Sequence, residues 1–135
     1  MSGHTLHIMI GLPRSGKSTK ALELGYPIVS TDAIRFTIHG THWKPELETL
    51  IWGMAHTMVD SLFLAGHANV ILDAVNHTHA RRANWVSDRW SIRYHVIDTD
   101  EQTCIQRAKD TDQKYLIPII QRMAAQWEPL EGADG

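Results

Sequence analysis

The stretch "TLHIMIGLPRSGKSTKALEL", residues 5–24, restricts the possible folds more than any other part of the chain. A short apolar, partly β-branched run over 5–10 stops at Gly11, the signature of a buried strand entering a turn. Residues 17–24 favour helix, and Gly25 with Pro27 ends it. Between the two, Gly11-Leu12-Pro13-Arg14-Ser15-Gly16-Lys17-Ser18 fits G-x-x-x-x-G-K-[ST] at every fixed position. A loop placed this way, after a strand and before a helix, turns its backbone N–H groups and the helix N-terminus toward one point, where phosphate binds. Gly11 and Gly16 permit the close approach, Lys17 reaches the outer phosphates, and the Ser18 hydroxyl ligates Mg²⁺. Pro13, Arg14, Ser15 and Thr19 complete the expected cradle for ATP or another nucleoside triphosphate.

Strand signals recur at 27–30, 69–74 and 92–98. Residues 45–66 place Leu47, Leu50, Ile51, Met54, Met58 and Leu62 on one stripe, which predicts an amphipathic helix with Pro45 in its first turn and Gly66 at its end. Two further helices are predicted over 100–109 and from about Pro118. Strands alternating with helices pair in parallel and carry helices on both faces. The expected fold is therefore a P-loop NTPase-type α/β three-layer sandwich with about four central strands. One domain is expected over 1–135, with a lid near 107–117. Right-handed crossovers bring the strand ends to one edge, where ligands bind in such sheets.

Composition agrees with a soluble domain: 43% of the residues are hydrophobic and 21% are charged. The N-terminus lacks a basic region followed by a long apolar run, no stretch approaches a membrane span, and Cys104 is the sole cysteine. A reducing, cytoplasmic setting is expected. A formal net charge of −2 argues against non-specific wrapping of duplex nucleic acid, and leaves room for a small basic groove around one strand end.

The residues near the predicted edge suggest what receives the phosphate. Asp32 follows the second strand, where a carboxylate can orient and deprotonate an acceptor hydroxyl. It can equally cap a helix starting at Ala33. Arg35, one turn on, can clamp an anionic group. Asp73 ends the third strand, where an acid holds Mg²⁺ directly or through water and orients Ser18. Asn76 follows in the same loop. Arg81, Arg82 and Trp85 then fall on successive turns, suited to phosphate pairing and base stacking, although Trp85 is also a natural core residue. His39 and Trp43, in the segment after the Asp32 helix, are candidates for a wall of the acceptor pocket. Cys104 reads as inert packing. The histidine pairs His4/His7 and His77/His79 lack the spacing of a zinc site.

The order G-x-P-x-S-G-K-S-T, then S-x-D-x-x-R, then D-A-x-N with a paired Arg and Trp, resembles the kinase domain of bacteriophage-type polynucleotide 5′-kinases. More broadly it resembles the AAA_33 group of small P-loop kinases. The resemblance implies Lys17 and Ser18 on ATP and Mg²⁺, Asp32 as general base toward a 5′-hydroxyl, and Arg35 on the phosphate at the 3′ side of the terminal nucleotide. It implies Asp73 in the metal–water network. The acceptor would be a 5′-OH end of DNA or RNA, at a single strand or nick. The family's second lid arginine is replaced here by Asp110 and Thr111, so Arg107, Lys109 or Lys114 must cover the transferring phosphate. The D-x-D-G-T signature of a phosphatase half is absent, and no fifth strand is visible to wall the adenine. Two alternatives stay open: a small-metabolite or hydroxymethylated-base acceptor, and a nucleotide-binding adaptor without transfer activity.

Overall fold

The computed structural model describes residues 3–40 and 44–131, with the His39 side chain outside that description. Trp43 and the His39 side chain, expected beside the acceptor, therefore lie outside that description. Four strands, β1 (Thr5–Ile10), β2 (Ile28–Ser30), β3 (Asn69–Asp73) and β4 (Ser91–Val96), form one parallel sheet in the order β2-β3-β1-β4. The helices are α1 (Lys17–Leu24), α2 (Thr31–His39), α3 (Glu48–Leu64), α4 (His79–Ala83), α5 (Glu101–Asp110) and α6 (Ile117–Gln126). They cover both faces, the expected P-loop kinase-like α/β architecture. No helix among the described residues is long and apolar enough to cross a membrane.

Alternation along β1 divides the interior. Leu6, Ile8 and Ile10 face a large core with Val29, Val70, Leu72 and α3, while Met9 joins Ala21 of α1 and Ile71 on the opposite side. A third cluster sets Leu12 against Cys104, Ile105 and Ala108 of α5 and Ile120 of α6. Trp127 packs against both the first and third clusters, so the α5–α6 hairpin is anchored to the body of the fold.

Two expectations need correction. The buried row of α3 is Ile51, Ala55, Val59 and Phe63; Leu50 and Met58 of the predicted stripe are 50% and 40% exposed. Apolar residues surround this helix, so packing decides its face, and the small Ala55 and Val59 let it approach the sheet. Second, α2 starts at Thr31, not Ala33, because the Ser30 side chain accepts from the Ala33 N–H at 3.1 Å. Asp32 lies inside the first turn and is not the cap.

Trp85 belongs to the core. Its ring is 1% exposed, stacks on His56 with centroids 4.9 Å apart, and sits near Trp52 and Trp90. Trp90 Nε1 donates to the Trp85 carbonyl at 2.8 Å, fixing the turn before β4. Truncating such a side chain removes transfer energy and leaves a cavity. Trp85→Ala is therefore expected to lower unfolding stability by about 3–5 kcal/mol in denaturant titration, with nucleotide affinity of the folded fraction unchanged.

Candidate active site

All four strands end on one edge, and three of the loops that follow carry the chemistry. After β1 the chain bends through Arg14 (φ 67°) and Gly16 (φ 100°), left-handed conformations that shape the nest. A side chain at Gly11 would place its Cβ 2.5 Å from Ser15 Oγ, so the buried Ser15 would have to shift to admit it. The neighbouring strand ends brace the loop: Gly11 N–H donates to Val75 O at 3.2 Å, and Thr99 Oγ1 donates to Ser15 O at 2.7 Å. Thr99, just beyond β4, is a supporting residue that sequence reasoning missed.

The cleft over this loop is lined by Arg14, Ser15, Gly16, Lys17, Ser18, Thr19 and Arg107. Lys17 is 8% exposed at the start of α1. Of the three cations expected near the lid, Arg107 lines the cleft; its guanidinium donates to the Arg14 carbonyl at 3.1 Å. The expected lid span 107–117 comprises the end of α5, a turn, one 3₁₀ turn and the first residue of α6.

Parallel pairing of β1 with β3 puts Asp73 beside the start of α1. Ser18 Oγ donates to Asp73 Oδ2 at 2.8 Å, while Asp73 Oδ1 is buried without a hydrogen-bond partner. A buried carboxylate oxygen left in this state is costly unless a ligand takes it. A hydroxyl joined to a carboxylate with a spare oxygen suits a hard, oxygen-preferring divalent cation such as Mg²⁺.

β2 pairs with β3 in register Ser30 to Asp73, which carries α2 to the same edge. There a cavity of about 120 Å³ lies between α2, α3, the loop after β3 and α6. Asp32, Arg35, Glu48, Trp52, Asn76 and Arg81 contribute to its wall, and Pro13 of the phosphate loop meets it. Leu116, Ile119, Arg122 and Met123 roof it. Asp32 remains open to solvent, its side chain 75% exposed, and Oδ1 accepts from Arg35 at 2.8 Å.

Arg35, expected to clamp an anionic group, lines the cavity and is paired with carboxylates of the protein itself. Glu48 grips its guanidinium bidentately, at 2.9 Å and 2.6 Å, and the arginine is 8% exposed. Glu48 and Trp52 were both missed, because nothing in the sequence shows that α3 packs on α2 so as to bring them to Arg35. Arg82 is also internal, 1% exposed, donating to Asn76 O at 2.9 Å and Glu128 O at 2.7 Å. Arg82 and Trp85, both expected on the substrate side, are buried and lie off the cavity lining. α4 is five residues long, and a single turn cannot show which side faces inward. Asn76 (φ 52°) lines the cavity and ties the loop down, its Nδ2 donating to Met9 O at 2.9 Å. Arg81 lies on the Trp52 ring, 4.6 Å from its centroid.

The AAA_33 family model, described as an AAA domain, matches residues 6–117. The chain belongs to this family of P-loop kinase domains. Among solved structures it is similar to a chain of a Pnkp1/Rnl/Hen1 RNA repair complex (TM-score 0.70, 22% identity, 95% of this chain and 47% of that one). A second structure of a Pnkp1/Rnl/Hen1 complex gives TM-score 0.67 at 27% identity over 79% of this chain and 40% of that one. A gluconokinase from Sinorhizobium meliloti gives TM-score 0.65 at 17% identity over 98% and 79%. The chain thus spans less than half the length of the two repair-complex chains. At 22% and 17% identity, the first and third of these likenesses speak to fold alone. No curated protein matches the chain by sequence.

Burial alone would raise the Glu48 pKa, but the hydrogen bonds and charge of Arg35 outweigh it and hold the carboxyl below its ordinary value. The resulting stability is complete above the unfolded glutamate pKa, near 4.3, and is lost as pH falls through the lower folded value. Glu48→Gln is expected to cost about 3 kcal/mol at neutral pH by leaving Arg35 undercompensated. The gap between variant and wild type should close as unfolding is measured at progressively lower pH below 4.

Proposed function

We propose that this chain transfers the γ-phosphate of ATP to the 5′-hydroxyl of a DNA or RNA strand end. The observation that carries this reading is the junction at Pro13: a phosphate nest on one side and, on the other, a cavity walled by Asp32 and arginines. A likeness at 27% identity to a chain of the Pnkp1/Rnl/Hen1 complex supports it. So does the resemblance carried by the Asp32–Arg35 segment and the loop after β3.

In this mechanism the loop backbone, Lys17 and the α1 N-terminus hold the triphosphate, and Arg107 covers charge that develops on the transferring group. Ser18 and Asp73 would hold Mg²⁺, which when bound supplies charge neutralisation between the phosphates. Asp32 accepts the proton of the acceptor hydroxyl as the oxygen attacks phosphorus in line. Arg35 fixes the Asp32 carboxylate through its N–H at 2.8 Å. Most of the rate gain in such a site comes from positioning and prearranged charge.

A second acceptor class is favoured by one observation. The cavity's volume of about 120 Å³ under α6 suits a small hydroxylated anion more readily than a long strand. Offering labelled ATP with a 5′-OH oligonucleotide and, separately, a panel of hydroxylated metabolites distinguishes the two. Transfer confined to the metabolites would overturn the strand-end reading. Asp32→Ala is expected to reduce transfer about 10²–10⁴-fold while ATP affinity is retained, and near-normal turnover in that variant would remove Asp32 as the base.

A further inference from the structure

The main chain of the phosphate loop is held from outside at two consecutive carbonyls, and both donors come from the segment that follows β4. Arg107 of α5 donates to the Arg14 carbonyl at 3.1 Å, and Thr99 Oγ1 donates to the Ser15 carbonyl at 2.7 Å. A peptide unit is planar and trans, so a fixed carbonyl also fixes the N–H that follows it, on the opposite side of the bond. The two units differ in where that N–H goes. After Arg14 it is the Ser15 N–H, which donates back to the Leu12 carbonyl at 3.0 Å, so this unit is held at both ends. After Ser15 it is the Gly16 N–H, which has no hydrogen-bond partner among the described residues. Gly16 lines the phosphate cleft and Thr99 does not. Local backbone preference does not hold this second unit in place. Rotating it changes ψ of Ser15 and φ of Gly16, and glycine accepts φ of either sign at little cost; here it is 100°. The rotated unit would offer a bound phosphate a carbonyl oxygen in place of a donor.

We propose that Thr99 is a positioning residue for the nucleotide: its hydroxyl holds the Ser15–Gly16 peptide with the Gly16 N–H turned into the phosphate cleft. This assignment rests on the phosphate-donor half of the kinase reading and is independent of which hydroxyl accepts. Thr99 is itself fixed from both sides along the chain. Ile97 N–H donates to Ile10 O at 2.8 Å, which extends the β1–β4 ladder, and Asp100 caps α5 by accepting from the Thr103 N–H at 3.1 Å. The threonine therefore stands where sheet and helix both define its position, while the loop it holds contains a residue able to rotate. The bond needs a hydroxyl, because valine has a similar shape and no donor.

The test uses the whole chain with MgADP as the probe and needs no acceptor. In isotope-labelled wild type, the Gly16 amide resonance is expected to move downfield when MgADP binds, as an N–H does on gaining a charged acceptor. Thr99→Val is expected to weaken MgADP binding about 3- to 10-fold in calorimetry, the net worth of one hydrogen bond, and to diminish that shift. Thr99→Ser, which keeps the hydroxyl, should return both toward wild type. Thr99→Ala carries the comparison if valine prevents folding. A merely structural role would lower the unfolding stability of Thr99→Val while leaving the folded protein's MgADP affinity and Gly16 shift unchanged, and that outcome overturns the assignment. A wild-type Gly16 amide that does not respond to MgADP, or a Thr99→Ser variant as weak as Thr99→Val, overturns it as well. If the expected results are obtained and no 5′-OH oligonucleotide is phosphorylated, the strand-end reading fails while the role of Thr99 stands.

Discussion

The site depends on the parallel pairing of β1 with β3. That ladder runs from Thr5 opposite Asn69 to Ile8 opposite Leu72, and both strands are buried almost throughout. Because the pairing is parallel, both chains leave the sheet at the same edge. The loop after β1 becomes the phosphate nest, and the last residue of β3 becomes the acid beside it. The 2.8 Å bond from Ser18 to Asp73 follows from this register. A shift of one residue would turn Asp73 to the other face of the sheet and remove the bond. β2 then extends the same edge by pairing to β3, which carries Asp32 to the cavity that Pro13 of the phosphate loop also lines.

Charge within the acceptor cavity is arranged in two grades. Near α2 it is saturated: Arg35 is enclosed by Glu48 and Asp32. Near α4 it is unsaturated, with Arg81 on Trp52, and His77 close by is kept below its ordinary pKa by burial and by surrounding arginine charge. A neutral histidine in that place does not add to the repulsion among the cations.

The features legible in the sequence are those that backbone geometry imposes at fixed spacing. Gly11 and Gly16 are required by a 2.5 Å approach to Ser15 Oγ and by a left-handed turn, so the nest could be read directly, as could Asp73 at its strand end. Strand and helix alternation gave the layer order. Features that depend on which way an element faces were hidden. The α3 stripe was displaced by one position because apolar residues occur all round it, and the inward turn of Arg82 and Trp85 could not be inferred from a five-residue helix. Glu48 and Trp52 reach the site through the crossing of α2 and α3, a tertiary relation with no local pattern. The Arg35–Glu48 pair belongs wholly to that class.

The roof of the cavity adds a constraint that the phosphate nest cannot supply. α6 is held through the main chain that follows it: Glu128 N–H donates to His77 O, and Arg82 bonds both Asn76 O and Glu128 O. One buried guanidinium thus joins the roof to the loop that carries Asn76 and leads into Arg81. Phosphate loops of one geometry serve many acceptors, because they contact only the donor. What lies beyond that loop in this chain is the cavity between α2, α3, the loop after β3 and α6.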